Sequence, residues 1–414
     1  MNPNMFNYQF NYQVRSYMSY EGQKTDKDYY YILFNKIPKE ILFKHGCYNL
    51  RLLYDSFKNY PNCNILTFDN VDFCNAIEFE FMLNLVNDTK QIDTLRFKAI
   101  NLHNYINEIV KFIKSNHTIK SISFNQSGIN NEDLKLFSEA AKENYTLESL
   151  DFSSNDTFSN LTPICDLIHN NKNITTLYFN NVYNCDFISL IETLKTNKTI
   201  KKFKICETSD KIFNEFWEML KINNTINHVS FKSYYSINML KIKEVLDINR
   251  TITELSLHNN ITSDWTPLIE ALKINTTLTY LNLNDCIIND YKPFYINLKN
   301  NKTLKVVKLS HYCTSKDDNN CDILIDALKH NSVIERLNVD GIKINDALTY
   351  LKTIYFHPTL KECIAKIKYE DRQIVCNALN STNKLPDIGY QDCINYKGYF
   401  ESKDKNKHIS QFVY

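Results

Sequence analysis

A nine-residue pattern that recurs along most of the chain constrains the fold more than any other feature. It reads N-x-T-[L/I]-x-x-[L/V]-x-L and begins at Asn249, Asn275 and Asn301, which are 26 residues apart. At intervals of 26 to 30 residues, the same slot holds Asn116, Asn144, Asn171, Asn197, Asn223, Asn331 and His357. Ten such positions predict an array of structural repeats.

Each repeat is predicted to form one short strand followed by one helix. Leu281 and Leu283 alternate with polar residues, as in a strand with one buried face. Between strands, apolar residues such as Leu268 and Leu272 recur at helical spacing. The repeat Asn falls where the helix must stop. Asn is the commonest residue after Gly in the left-handed position that closes many helices, so we expect that conformation there.

This unit resembles the leucine-rich repeat, in particular the ribonuclease-inhibitor-like class with its core L-x-x-N-x-T-L-x-x-L-x-L. The resemblance covers roughly three quarters of the chain. It implies an α/β solenoid, a curved arc with a parallel sheet on the concave face and helices on the convex face. Many members of this family carry an Asn ladder three residues after the last core Leu. Here only Asn155 and Asn260 occupy that slot, which predicts no continuous ladder in it.

Four segments follow from where the repeat pattern begins and ends. Residues 1–28 are polar and aperiodic, which is typical of a flexible N-terminal leader. Residues 29–60 form a cap or an F-box-like segment, residues 61–364 form the repeats, and residues 365–414 form a C-terminal cap and tail.

The run from Ile37 to Leu42, IPKEIL, resembles the opening of an F-box. That resemblance implies that Ile37, Pro38, Ile41 and Leu42 contact a Skp-type adaptor, and that the chain recruits substrates to a cullin-type ubiquitin ligase. The alternative is an N-terminal cap, because an open array needs a cover on its exposed end. In that case Leu53 and Phe57 belong to the helix of a first repeat, and a strand follows at Leu66.

A protein partner is predicted to bind the concave face, where residues flanking the core leucines point out of the sheet. Aromatic residues surrounded by polar groups are typical of protein interfaces. Adjacent strands should also place His228 beside Glu254, as a surface ion pair or a binding contact. The candidate contact residues are Tyr178, Lys202, Lys204, His228, Lys232, Glu254, His258 and Tyr280.

Composition argues against several other classes of function. The net charge is +1 and only six Arg are present, so no basic field for nucleic acid is expected. No apolar run reaches 18 residues, so we expect no membrane span. The twelve Cys show no C-x-x-C spacing. They suggest a reducing compartment such as the cytoplasm, that of a host cell if the source is a virus or an intracellular bacterium.

No catalytic motif is found, and the chain has only six Gly with which to build a phosphate-binding loop. We therefore expect neither an enzyme nor a cofactor. Besides the ubiquitin-ligase adaptor, a free-standing scaffold or regulator of actin or of a small GTPase is the alternative. The run from Leu194 to Ile205 resembles the repeats of tropomodulin-like actin-capping proteins.

Overall fold

The computed structural model describes most of the chain as one repeating array. The described residues are 17–21, 40–47, 50–59, 61–183, 185–206, 209–233, 237–258, 262, 264–309, 320–340, 347–366, 399–401 and 408–411. The strands are β1 Tyr17–Glu21, β2 Glu40–Cys47, β3 Ile65–Asp72, β4 Thr94–Lys98, β5 Ser121–Asn125, β6 Ser149–Asp151, β7 Thr176–Phe179, β8 Lys202–Cys206, β9 His228–Lys232, β10 Glu254–His258, β11 Tyr280–Leu283, β12 Val306–Leu309, β13 Arg336–Asp340, β14 Glu362–Lys366, β15 Tyr399–Glu401 and β16 His408–Gln411.

One helix lies between each pair of consecutive strands from β2 to β14. The helices are α1 Leu50–Asn59, α2 Ala76–Thr89, α3 Ile106–Ser115, α4 Asn131–Lys142, α5 Thr162–Asn170, α6 Phe187–Thr196, α7 Asp210–Ile222, α8 Met239–Ile248, α9 Thr266–Ile274, α10 Lys292–Asn300, α11 Asn320–His330 and α12 Ala347–Tyr355. A short 3₁₀ turn, His103–Tyr105, precedes α3.

Strands β1 to β14 form a single sheet whose spatial order is the order of the sequence. Every neighbouring pair is parallel, and equivalent positions of successive repeats face each other, as in Leu255 with Leu281. Strands lie about 4.8 Å apart, whereas packed helices need about 8 to 10 Å between their axes. A sheet and a helical layer with one element each per repeat must therefore curve, with the sheet on the inside.

The core lies between the sheet and the helices. An inward-facing phenylalanine lies in, or directly after, each of six successive strands, from β2 to β7. The rings of Phe43, Phe68, Phe97, Phe124, Phe152 and Phe179 form a row with centroids 5.3 to 6.4 Å apart. From β8 onward, aliphatic residues predominate in this position, beginning with Ile205 and continuing with Leu257 and Leu283. Each repeat thus covers the apolar face of the next.

The repeat Asn residues are buried and bridge neighbouring repeats. Asn249 donates from Nδ2 to the carbonyl oxygens of Leu220 (2.8 Å) and Asn223 (3.1 Å) in the preceding repeat. Its Oδ1 accepts from the backbone N–H groups of Thr251 and Ile252 at 2.8 and 2.9 Å. Equivalent bonds join Asn144, Asn171, Asn223 and Asn331 to the repeats before them. We call this row, which lies at the helix ends, the helix-end Asn ladder.

Our prediction of a left-handed backbone at the repeat Asn is wrong. Asn249 ends α8 with φ −69° and ψ 129°, an extended conformation that continues into the next strand. Left-handed residues lie at strand exits, as at Gln126, Ser154 and Asn181 with φ between 53° and 59°, and at the end of α2, where Lys90 has φ 50°. The Asn side chain binds the two backbone N–H groups that follow it, so the helix ends without a left-handed residue.

The position three residues after the last core residue of each strand is a different one, and there the sequence predicts no continuous row of Asn. Asn155 donates to the carbonyl oxygen of Phe124 at 2.6 Å and accepts from the N–H of Ser127 at 2.9 Å. In a later repeat the thiol of Cys286 takes this place and donates to the carbonyl of Leu257 at 2.9 Å. Asn260 lies outside the described residues.

Strands lie at both ends of the array. Tyr17–Glu21, which we predicted to lie in a flexible leader, forms strand β1 and pairs with β2. The last strand of the repeats is β14, which lies where the final repeat predicts it. Within the segment 365–414, β15 and β16 pair with each other in an antiparallel arrangement.

Candidate partner-binding face

All eight predicted contact residues lie on the concave face, and the strand register places them in three columns. Lys202, His228, Glu254 and Tyr280 occupy the first column on consecutive strands. Tyr178 and Lys204 are neighbours in the second column. Lys232 and His258 are neighbours in the third. The alternation of strand side chains is sufficient to bring these residues together across strands β7 to β11.

His228 and Glu254 form the close pair that the strand order predicts. The His228 Nδ1 lies 2.5 Å from the Glu254 Oε2. Burial lowers the pKa of the His228 imidazole, and it outweighs the carboxylate of Glu254, which raises that pKa. The nearby ammonium groups of Lys204 and Lys202 lower it further. The His228 imidazole thus loses its charge more readily than a free imidazole, while its Nδ1 stays in close contact with the Glu254 carboxylate.

Lys204 lies at the centre of this surface. Its Nζ lies 4.5 Å from the centroid of the Tyr178 ring, which is the geometry of a cation–π contact. Burial lowers the pKa of the Lys204 ammonium, while the carboxylates of Asp151 and Glu254 oppose that effect. Burial and the same two carboxylates raise the pKa of the Tyr178 hydroxyl. Lys204 is thus a partly dehydrated cation held over an aromatic ring.

The third column adds a second half-buried imidazole. Burial lowers the pKa of His258, and the ammonium groups of Lys204, Lys232 and Lys308 lower it further, against a raising effect of Asp285. Lys232 donates from Nζ to the Oδ1 of Asn181 at 3.0 Å, across two strands. His258 and Lys232 therefore belong to the same electrostatic cluster as Lys204.

Two further residues of this cluster, Lys308 and Asn181, are not among the predicted contact residues. Lys308 on β12 lies with its Nζ 5.6 Å from the Tyr280 ring centroid, repeating the pairing of Lys204 with Tyr178. Lys308 occupies the same column as Lys204, and this position could have identified it from the sequence. Asn181 is held at a strand exit with φ 53°, and no sequence pattern indicated its contact with Lys232.

Comparisons with known proteins yield structural neighbours only. No model of a known protein family matches the chain, and no curated protein sequence matches it. Internalin C2 from Listeria monocytogenes is 17% identical over 50% of this chain and 76% of its own, with a TM-score of 0.30. A TLR13–ssRNA13 complex is 12% identical over 80% and 46%, with a TM-score of 0.47. Leiomodin-1 actin-binding site 2 is 20% identical over 30% and 78%, with a TM-score of 0.28.

In this chain the sheet joins strands that lie one repeat apart, and one helix per repeat packs against it. The fold is a leucine-rich-repeat solenoid.

The four F-box-like residues belong to the N-terminal end of the chain, and the structure describes two of them. Ile37 and Pro38 lie outside the described residues. Ile41 and Leu42 lie in β2, which pairs with β3. The Ile41 side chain is fully buried in the core, and Leu42 is half-buried. In the sheet β2 lies between β1 and β3, so Ile41 is a core residue of the array.

Within the residues that the structure describes, no three His, Cys, Asp or Glu side chains come together as metal ligands. Among the same residues, no helix has both the length and the apolar character required to cross a bilayer.

Proposed function

We propose that this solenoid is a non-catalytic protein-interaction scaffold that binds a protein partner on its concave face. The observation that carries the proposal is the cluster around Lys204. It combines two lysine–tyrosine pairs, half-buried polar side chains and a partly dehydrated cation on one continuous surface. Tyrosine is enriched among the residues that dominate protein interfaces, and a dehydrated charge gains when a partner supplies its missing polar contacts.

The test compares partner capture by two matched variants of the full chain. Lys202→Glu with Tyr280→Ala alters the concave face, and Lys211→Glu with Tyr145→Ala makes the same changes on exposed helix-side positions. We expect the concave variant to retain less than a tenth of the captured partner, as measured by quantitative mass spectrometry, and the helix-side variant to retain nearly all of it. Equal capture by both variants, or loss from the helix-side variant alone, would contradict the proposal.

The identity of the captured protein separates the finer alternatives. A Skp-type adaptor would favour the ubiquitin-ligase role and would require β2 to open, since Ile41 is buried there. Actin or a small GTPase would favour a regulatory scaffold. The buried position of Ile41 leads us to rank the free-standing scaffold first.

A further inference from the structure

Charge is distributed unevenly along the concave sheet. Strands β8 to β12 contain four lysines (Lys202, Lys204, Lys232 and Lys308) and a single carboxylate, Glu254. Strands β3 to β7 contain three carboxylates and two cations. Both of those cations are paired, Arg96 with Glu40 at 3.3 Å and Lys98 with Asp69 at 3.0 Å. The C-terminal half of the face is therefore positive, although the chain as a whole is close to neutral.

The second column of this half forms a trough, which we define by its floor and its two ends. The floor consists of Ser230, Ser256 and Asn282, which are small and buried below longer neighbours. Lys204 stands at one end and Lys308 at the other, each against a tyrosine ring. Four strand spacings of about 4.8 Å place these two ends about 19 Å apart.

The side walls of the trough come from the first and third columns. His228 and Glu254 stand on one side, and Lys232 and His258 stand on the other. At about 3.3 Å per residue, an extended peptide of about six residues spans the distance between the ends. Such a segment can place one side chain at Lys204 and another at Lys308.

The chemistry of the ends favours carboxylates. Lys204 lies among buried neighbours with its charge facing a ring, and burial lowers its pKa, so an arriving anion would restore lost polar contact. A nucleic acid fits less well, because each strand carries a charge about every 3.4 Å and Glu254 stands beside the floor. Carboxylates on a protein segment can instead be spaced to avoid Glu254.

We propose that the trough binds an extended acidic segment of the partner protein, with carboxylates seated on Lys204 and Lys308. This inference rests on the proposed function and specifies the partner by its chemistry. The segment lies across the strands, along the second column, and its carboxylates are about six residues apart.

The test uses a fluorescein-labelled oligoglutamate of twelve residues and measures its binding to the full chain by fluorescence anisotropy. We expect the double variant Lys204→Gln with Lys308→Gln to bind at least tenfold more weakly than the unmodified chain. The control, Lys98→Gln with Lys120→Gln, removes the same charge from the other half, where both lysines are ion-paired. It should change the affinity less than twofold.

Three outcomes would overturn the inference. They are no binding of oligoglutamate, equal weakening by the control variant, or tighter binding of a twelve-residue oligouridylate than of oligoglutamate. The variants differ from those that test the proposed function. If the captured partner still depends on Lys202 and Tyr280 while oligoglutamate fails to bind, the acidic segment is wrong and the concave scaffold stands. If oligoglutamate binding depends on Lys204 and Lys308 but partner capture does not involve the concave face, the proposed function is wrong.

Discussion

Replacing Asn249 by alanine is expected to lower the free energy of unfolding by about 4 kcal/mol, since each of its four hydrogen bonds to backbone groups contributes about 1 kcal/mol. The alanine leaves two carbonyl oxygens of the preceding repeat and two N–H groups of its own repeat without partners. Water cannot easily replace them, because Asn249 is only 6% exposed. Urea denaturation followed by circular dichroism measures the change.

Asn173→Ala is the matched control for this prediction. Asn173 lies in the same kind of turn, but its side chain is exposed, so its loss should change stability by less than about 0.5 kcal/mol. Hydrogen exchange adds a spatial readout, because a repeat contacts only its neighbours. Exchange should accelerate in β9 to β11 and remain unchanged in β4 and β5. Equal destabilisation by the two variants would show that the helix-end Asn ladder does not hold the repeats together.

Replacing Phe124 by alanine is also expected to cost about 3 to 5 kcal/mol, the usual range for removing a buried phenylalanine. The Phe124 ring is fully buried and lies between Phe97 and Phe152, with centroid distances of 6.4 and 5.6 Å. It also meets the edge of Phe137 at 5.0 Å. Alanine would leave a cavity that both neighbouring repeats line.

Two control substitutions are measured in the same denaturation experiment as Phe124→Ala. Phe124→Leu keeps most of the volume and should cost less than about 1.5 kcal/mol. Phe81→Ala removes a ring that is 57% exposed on α2 and should have little effect. A loss below about 1 kcal/mol for Phe124→Ala would mean that the row of rings contributes little to the contact between repeats.

The periodic parts of this fold could be predicted because they depend on local rules. The Leu281 and Leu283 alternation locates a strand, and the 26-residue interval determines which residues become neighbours. The interval predicts His228 beside Glu254, which is where the strand register places it. The alternation also separates the core from the concave columns, because successive strand side chains point to opposite faces.

The remaining features depend on contacts between repeats that a single repeat does not encode. The sequence shows that Asn recurs at the position of Asn249. Asn is suited both to a left-handed helix end and to bridging two repeats with its side chain, so the residue type alone does not tell these roles apart. The distinction depends on the carbonyl groups of the preceding repeat, which only the stacked array brings within reach. The contact of Lys232 with Asn181 likewise depends on how a strand exit turns. The end strand β1 carries no repeat pattern, so its pairing with β2 could not be anticipated.

The stacked solenoid requires strands one repeat apart to lie side by side in register, and a disulfide test measures this directly. Ser230 and Ser256 face each other across β9 and β10, about 4.8 Å apart, within the range that a disulfide bridges. Under mild oxidation, the variant Ser230→Cys with Ser256→Cys should form that bond, identified by peptide mass spectrometry. The variant Ser230→Cys with Asn282→Cys, two strands apart, should not. A bond in neither variant, or in both equally, would contradict the stacked register and the binding face built on it.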